Sequence, residues 1–136
     1  GEWLEHYVLA ELLKIAYDAQ VHDCGMSLAT DQSRGASDFD FEFDVAALRG
    51  YQFFGISCTT SSNKDKAKQK LFEAYIRARQ LGGDEARVGL VCAYEKAYRF
   101  EAEVEQEWLA KGKIKVFGPR KWPYLAACLK EWLITE

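Results

Sequence analysis

Residues 39–60 read FDFEFDVAALRGYQFFGISCTT, and the rest of the chain organises itself around this stretch. Phe39, Phe41, Phe43 and Val45 alternate with Asp40, Glu42 and Asp44. Successive side chains of a strand point to opposite faces, so the pattern predicts aromatics on one face and carboxylates on the other. Like charges along one strand face repel and oppose strand formation. The pattern therefore predicts a cation, or a set of basic groups, beside the acids. Arg49-Gly50 marks a tight turn, after which the return strand carries Ser57 and Thr59 alongside Asp44, with Cys58 pointing to the opposite, core face.

On the amino-terminal side, residues 2–18 keep helical spacing, with Leu4, Val8, Leu12 and Ile15 on one stripe and Trp3, Tyr7 and Ala10 beside it. Residues 20–29 predict a first strand and the polar residues 30–38 a loop. Strands over 39–48 and 51–59 follow. Ser61, Ser62 and Asn63 are candidate caps for a helix over 64–81, whose apolar face holds Leu71, Tyr75, Ala78 and Leu81 and which Gly82-Gly83 stops. RVGLVCAY at 87–94 is an apolar run of strand length, expected to be covered on both faces. A helix over 97–110, a strand over 114–117 and a helix over 123–133 complete the order. Strands joined by helical crossovers predict an α/β fold with a mixed central sheet flanked by helices.

With 136 residues, 49% of them hydrophobic, the chain is long and apolar enough for one packed domain spanning residues 1–136, not a disordered segment. The helical start GEWLEHYVLAEL predicts a piece of a longer protein. A net charge of −3 does not mark a nucleic-acid binder in bulk. The charge is uneven, however: residues 111–121 hold five basic residues and no acid, and 64–79 hold six basic residues against Asp65 and Glu73. A basic rim around an acidic pocket suits a metal-dependent enzyme acting on a polyanion. Cys24, Cys58, Cys92 and Cys128 form no CxxC pair and sit in apolar surroundings, which predicts buried thiols in a reducing cytoplasm and no zinc site. No apolar run reaches membrane-spanning length. His6 and His22 lack neighbouring ligand patterns, and the acids at 101–107 predict a plain charged helix face.

The α-β-β-β-α-β order, with an acid on the second strand, resembles the core of the PD-(D/E)XK, restriction-endonuclease-like nucleases. GEWLE at 1–5, FEFDV at 41–45, ISCTT at 56–60 and ARQLGGDEARVGLV at 78–91 narrow the likeness. In this order they resemble the C-terminal nuclease domains of CRISPR ancillary effectors, whose N-terminal CARF domain senses cyclic oligoadenylate. The resemblance implies hydrolysis of DNA or RNA phosphodiesters with Mg²⁺ or Mn²⁺, a homodimer in the full-length protein, and no membrane partner. Asp44 matches the metal-binding acid of the second strand, Glu5 the glutamate of the first helix, and the main-chain carbonyl of Cys58 a further ligand.

The departure lies on the third strand. Ser57 stands where the family has Glu or Asp, and Thr59 where it has Lys. Neutral hydroxyls supply neither the charge that holds a hard cation nor a cation beside the phosphate. Two substitutes are available in the sequence. Glu42, roughly 7 Å from Asp44 by strand rise, or Glu73 replaces the carboxylate. Lys66 or Lys70, one helical turn apart, replaces the lysine, with Lys64 also near substrate. The alternative expectation is a catalytically degenerate nuclease fold that binds nucleic acid or mediates dimerisation.

Overall fold

The computed structural model describes residues 2–29 and 42–135, with side chains at all of these but 2, 26–29 and 42. Phe39, Asp40 and Phe41, and the side chain of Glu42, thus lie outside the described part. The elements in chain order are α1 (Glu2–Ile15), β1 (Asp23–Ala29), β2 (Glu42–Arg49), β3 (Gln52–Thr59), α2 (Lys64–Gly82), β4 (Arg87–Cys92), α3 (Ala97–Glu107), β5 (Ile114–Phe117) and α4 (Leu125–Ile134). Among the described residues, five strands form one sheet in the order β1-β2-β3-β4-β5. The first three are antiparallel, and β3, β4 and β5 run parallel. This is the mixed, helix-flanked α/β sheet that the order of elements predicts.

Crossovers between adjacent parallel strands advancing in one direction put their helices on one face. Here α2 and α3 cover that face, where Leu71, Ala74, Tyr75, Phe100 and Val104 pack on Val88, Leu90 and Val116. On the other face α1 and α4 pack Leu4, Val8, Leu12, Leu125, Leu129 and Leu133 on Phe54, Ile56, Cys58 and Val91. β4 is buried from both sides, as its unbroken apolar run requires. Tyr7 ties α1 to the other end of the chain by donating its hydroxyl to the Trp122 carbonyl.

Asn63 is the cap of α2; its side chain accepts the Lys66 amide at 3.0 Å. The helix stops where Gly83 takes φ +66°, a conformation that favours glycine. Its buried stripe, Ala67, Leu71, Ala74 and Ala78, continues to Gly82 and not to Leu81, which is exposed. A Cβ at Gly82 would already touch Phe53 and Ala86 at 3.0 Å, so the helix lies too close to the sheet there for a leucine. The β2–β3 turn falls one residue later than Arg49-Gly50. Arg49 pairs with Gln52, and Gly50 takes φ +63° as the first residue of the turn. The final helix begins at Leu125, since Pro119 and Pro123 hold residues 119–124 in a 3-10 turn.

The acids of α3 are not a plain solvated face. Glu103 and Glu107 pair with Lys64 and Lys68 of α2 at 2.9 and 3.0 Å. Glu105 accepts the Gly112 amide at 2.9 Å, and Glu101 accepts the Val116 amide of β5 at 2.7 Å.

Candidate functional site

The alternation expected along β2 fails at one place. Phe43 packs in the core under α2 and α3, whereas Val45 packs in the core under α1 and α4. Two residues of equal parity thus lie on opposite faces. Gly55 accounts for the position of the Phe43 ring: a Cβ there would stand 2.5 Å from Phe43 Cε1, so only glycine leaves room for it. Phe43 then meets Phe53 edge-on, with ring centroids 5.1 Å apart.

The β2–β3 ladder ends at the same place, at Val45 opposite Ile56. Counting back from Arg49 and Gln52, the next hydrogen-bonded pair would be Phe43 with Cys58. The strands part instead, and the Cys58 amide donates to Asp44 Oδ2 at 2.6 Å. The Asp44 carboxylate therefore sits in the gap between the strands, in the place of a main-chain acceptor. An extended residue sends N–H and C=O to the same edge, so the Cys58 carbonyl faces this gap too.

Lys70, on the α2 side, brings its ammonium to 3.1 Å from the same Oδ2. On the α1 side, Glu5 is close enough for its charge to act on the Cys58 thiol. Burial first, then the Asp44 field, with Glu5 adding to it and Lys70 opposing it, push that thiol well above its ordinary range. Cys58 Sγ is thus a core group, neither nucleophile nor ligand, as the strand pattern predicts.

Ser57 is completely buried, and its hydroxyl has no hydrogen-bond partner among the described residues. The Thr59 hydroxyl accepts the Ser61 amide at 3.1 Å and closes the turn leading into α2. Of the helix residues expected near the site, Lys70 is in it. Lys64 is turned to α3 by its pair with Glu103, while Lys66 and Glu73 are exposed. Among the described residues no group of three or more His, Cys, Asp or Glu side chains gathers.

The Asp44 carboxylate and the Cys58 carbonyl offer oxygens at the gap, beside the Lys70 ammonium and the Cys58 amide, and the charge of Glu5 acts nearby. Those oxygens fit a hard cation, with few charges and hence low affinity. The sequence left the replacement for Thr59 open between Lys66 and Lys70, which share a helix face. Of the two, Lys70 pairs with Asp44, whereas Lys66 is exposed. A cleft of about 390 Å³ lined by Arg87, Ile114 and Glu101 opens at the opposite end of the parallel strands, away from Asp44.

Strand order, helix placement and the parted β2–β3 pair define a mixed α/β domain with an acid–lysine pair at one end of its sheet. No protein-family model matches the chain, and no curated protein does. Among solved structures it is similar to protein VC1899 from Vibrio cholerae, with a TM-score of 0.75 at 21% identity. That match covers 98% of this chain and 34% of VC1899. It is also similar to AF1548, a protein of unknown function, with a TM-score of 0.52 at 14% identity over 85% of this chain and 60% of AF1548. At these identities the likeness is one of fold. The chain spans about a third of the length of VC1899.

Proposed function

We propose that this chain is a metal-dependent nuclease-type domain of the restriction-endonuclease-like class, part of a CARF-type effector of CRISPR-associated antiviral defence. It would hydrolyse DNA or RNA phosphodiesters in the cytoplasm, in a homodimeric full-length protein. The observation that carries the reading is the Asp44–Lys70 pair in the gap where β2 and β3 part. The nuclease pattern that the sequence resembles pairs an acid with a lysine, and α2 would supply the lysine absent at Thr59. Asp44 Oδ1, the Cys58 carbonyl and Glu5 would hold Mg²⁺ or Mn²⁺, with Glu42 from β2. When bound, the cation supplies charge for the phosphate and an acidified water. The protein's own share is positional: the Cys58 amide fixes the Asp44 carboxylate, and the Lys70 ammonium opposes charge growing on the phosphate.

A second reading has its own observation. Ser57 is sealed in the core and Thr59 is spent on a turn, so β3 contributes no charged side chain to the site. A degenerate nuclease fold, binding nucleic acid or mediating dimerisation without chemistry, would look like this. Incubating the full-length protein with cyclic oligoadenylate, Mn²⁺ or Mg²⁺, and single- and double-stranded DNA and RNA separates the two. Cleavage abolished by Asp44→Asn supports the nuclease; no cleavage of any substrate establishes the degenerate fold.

A further inference from the structure

Lys96, Arg99, Arg120 and Lys121 line a concavity of about 520 Å³, with Glu95 as its one acid and Tyr98 exposed beside it. The place is set by topology. Residues 95–99 follow β4 and open α3, and residues 118–121 follow β5. The register pairs Thr59 with Cys92 and Val91 with Phe117, so these carboxyl ends lie at the same end of the sheet as Asp44 and Lys70. From the β2–β3 gap to the β4–β5 boundary is two strand spacings, about 10 Å. That is roughly three nucleotides of a stacked strand at ~3.4 Å each.

The charge here is only lightly compensated: the field of Lys121 reaches Glu101, and its ammonium lies over the Phe117 ring. Lys64, Lys68, Lys70, Arg79 and Lys130 each have a carboxylate within 4.0 Å. Lys96, Arg99, Arg120 and Lys121 have none among the described residues. Four cations converging on one hollow repel each other, and a polyanion relieves that repulsion. The amino terminus of α3 adds its amides at the same spot, with no side chain capping them.

We infer that this hollow is a phosphate-backbone subsite. It holds the nucleic-acid strand a few nucleotides from the bond cut at Asp44, with the Tyr98 ring placed to stack a base. The inference rests on the nuclease reading of the Asp44 site. Its test is fluorescence anisotropy of a labelled 12-nucleotide single strand, DNA and RNA, in EDTA across a salt series, so that binding is read without cleavage. Arg99 and Arg120 are both exposed, so Arg99→Glu/Arg120→Glu leaves the fold intact, to be confirmed by circular dichroism. The double variant is expected to bind at least tenfold more weakly. Its log-affinity against log-salt slope should be shallower by about 1.4, for two lost phosphate contacts. In cleavage, KM should rise and kcat hold. Unchanged affinity and slope in the double variant overturn the subsite, even where cleavage persists. A full loss of binding in the double variant beside a wild type that never cleaves upholds the subsite and removes the nuclease reading instead.

Discussion

Lys70 Nζ and the Cys58 amide share one oxygen of Asp44, Oδ2, at 3.1 and 2.6 Å. The carboxylate is held from two sides by groups with separate roles. The amide holds it to the sheet, whereas the ammonium sets the local charge. Substitutions at Asp44 and Lys70 should therefore separate folding from chemistry.

Lys70→Met removes the cation and keeps most of the stem. Because Lys70 is about a third exposed, unfolding in urea should register a loss of about 1 kcal/mol or less. Cleavage should fall by about a hundredfold, the scale of removing one charged stabiliser of a transition state. Lys70→Arg should recover part of the rate. Equal cleavage by Lys70→Met and wild type would place the active cation elsewhere.

Asp44→Asn and Asp44→Ala should both abolish metal-dependent cleavage but differ in stability. The asparagine oxygen still accepts the Cys58 amide, whereas alanine leaves that amide unpaired. An unsatisfied buried donor costs about 1–3 kcal/mol, so urea titration should rank Asp44→Ala below Asp44→Asn by that margin. The reverse order would mean that the hydrogen bond does not anchor the carboxylate.

Gly55→Ala should destabilise the domain by about 1–3 kcal/mol through overpacking, since its Cβ would meet the Phe43 ring at 2.5 Å. Phe43→Leu should relieve much of that cost. A double-mutant cycle measures the coupling directly, and additive effects would contradict the packing described.

Glu101 should make stability depend on pH in an unusual direction. Burial holds its carboxyl above the ordinary range, opposed by the Val116 amide and Lys115. An acid with a raised native value binds its proton more tightly folded than unfolded. Stability contributed by this group therefore rises as pH falls from the native value to the ordinary carboxylate value, and is lost as pH rises again. Glu101→Gln should remove that acid-side gain while keeping an acceptor for Val116, which thermal melts between pH 7 and pH 4 would show.

Most of the architecture was legible because periodicity reports burial directly. The unbroken apolar run of β4, the Asn63 cap and the Gly82-Gly83 stop each act through neighbours in sequence. The acid–lysine pair was legible in part: Asp44 on β2, with Lys66 or Lys70 of α2 as its expected neighbour. The rest depended on contacts across elements. Alternation along β2 predicts Phe43 and Val45 together, yet Gly55, twelve residues on, opens room that draws Phe43 to the other face. Likewise Lys64 and Lys70 are alike in sequence, and only Glu103 on a distant helix turns Lys64 away from the gap. The basic hollow was half visible in the charge run at 111–121; Lys96 and Arg99 join it only because β4 and β5 are neighbours.

The carboxylate of Glu101 on the Val116 amide carries one more consequence. β5 is the outermost strand on its side, and the free main-chain groups of such a strand invite another chain to add on. Here a charged acceptor already occupies one of its outward amides, and an incoming strand would have to displace it. A single side chain thus takes one of the places that an added strand would need at that border.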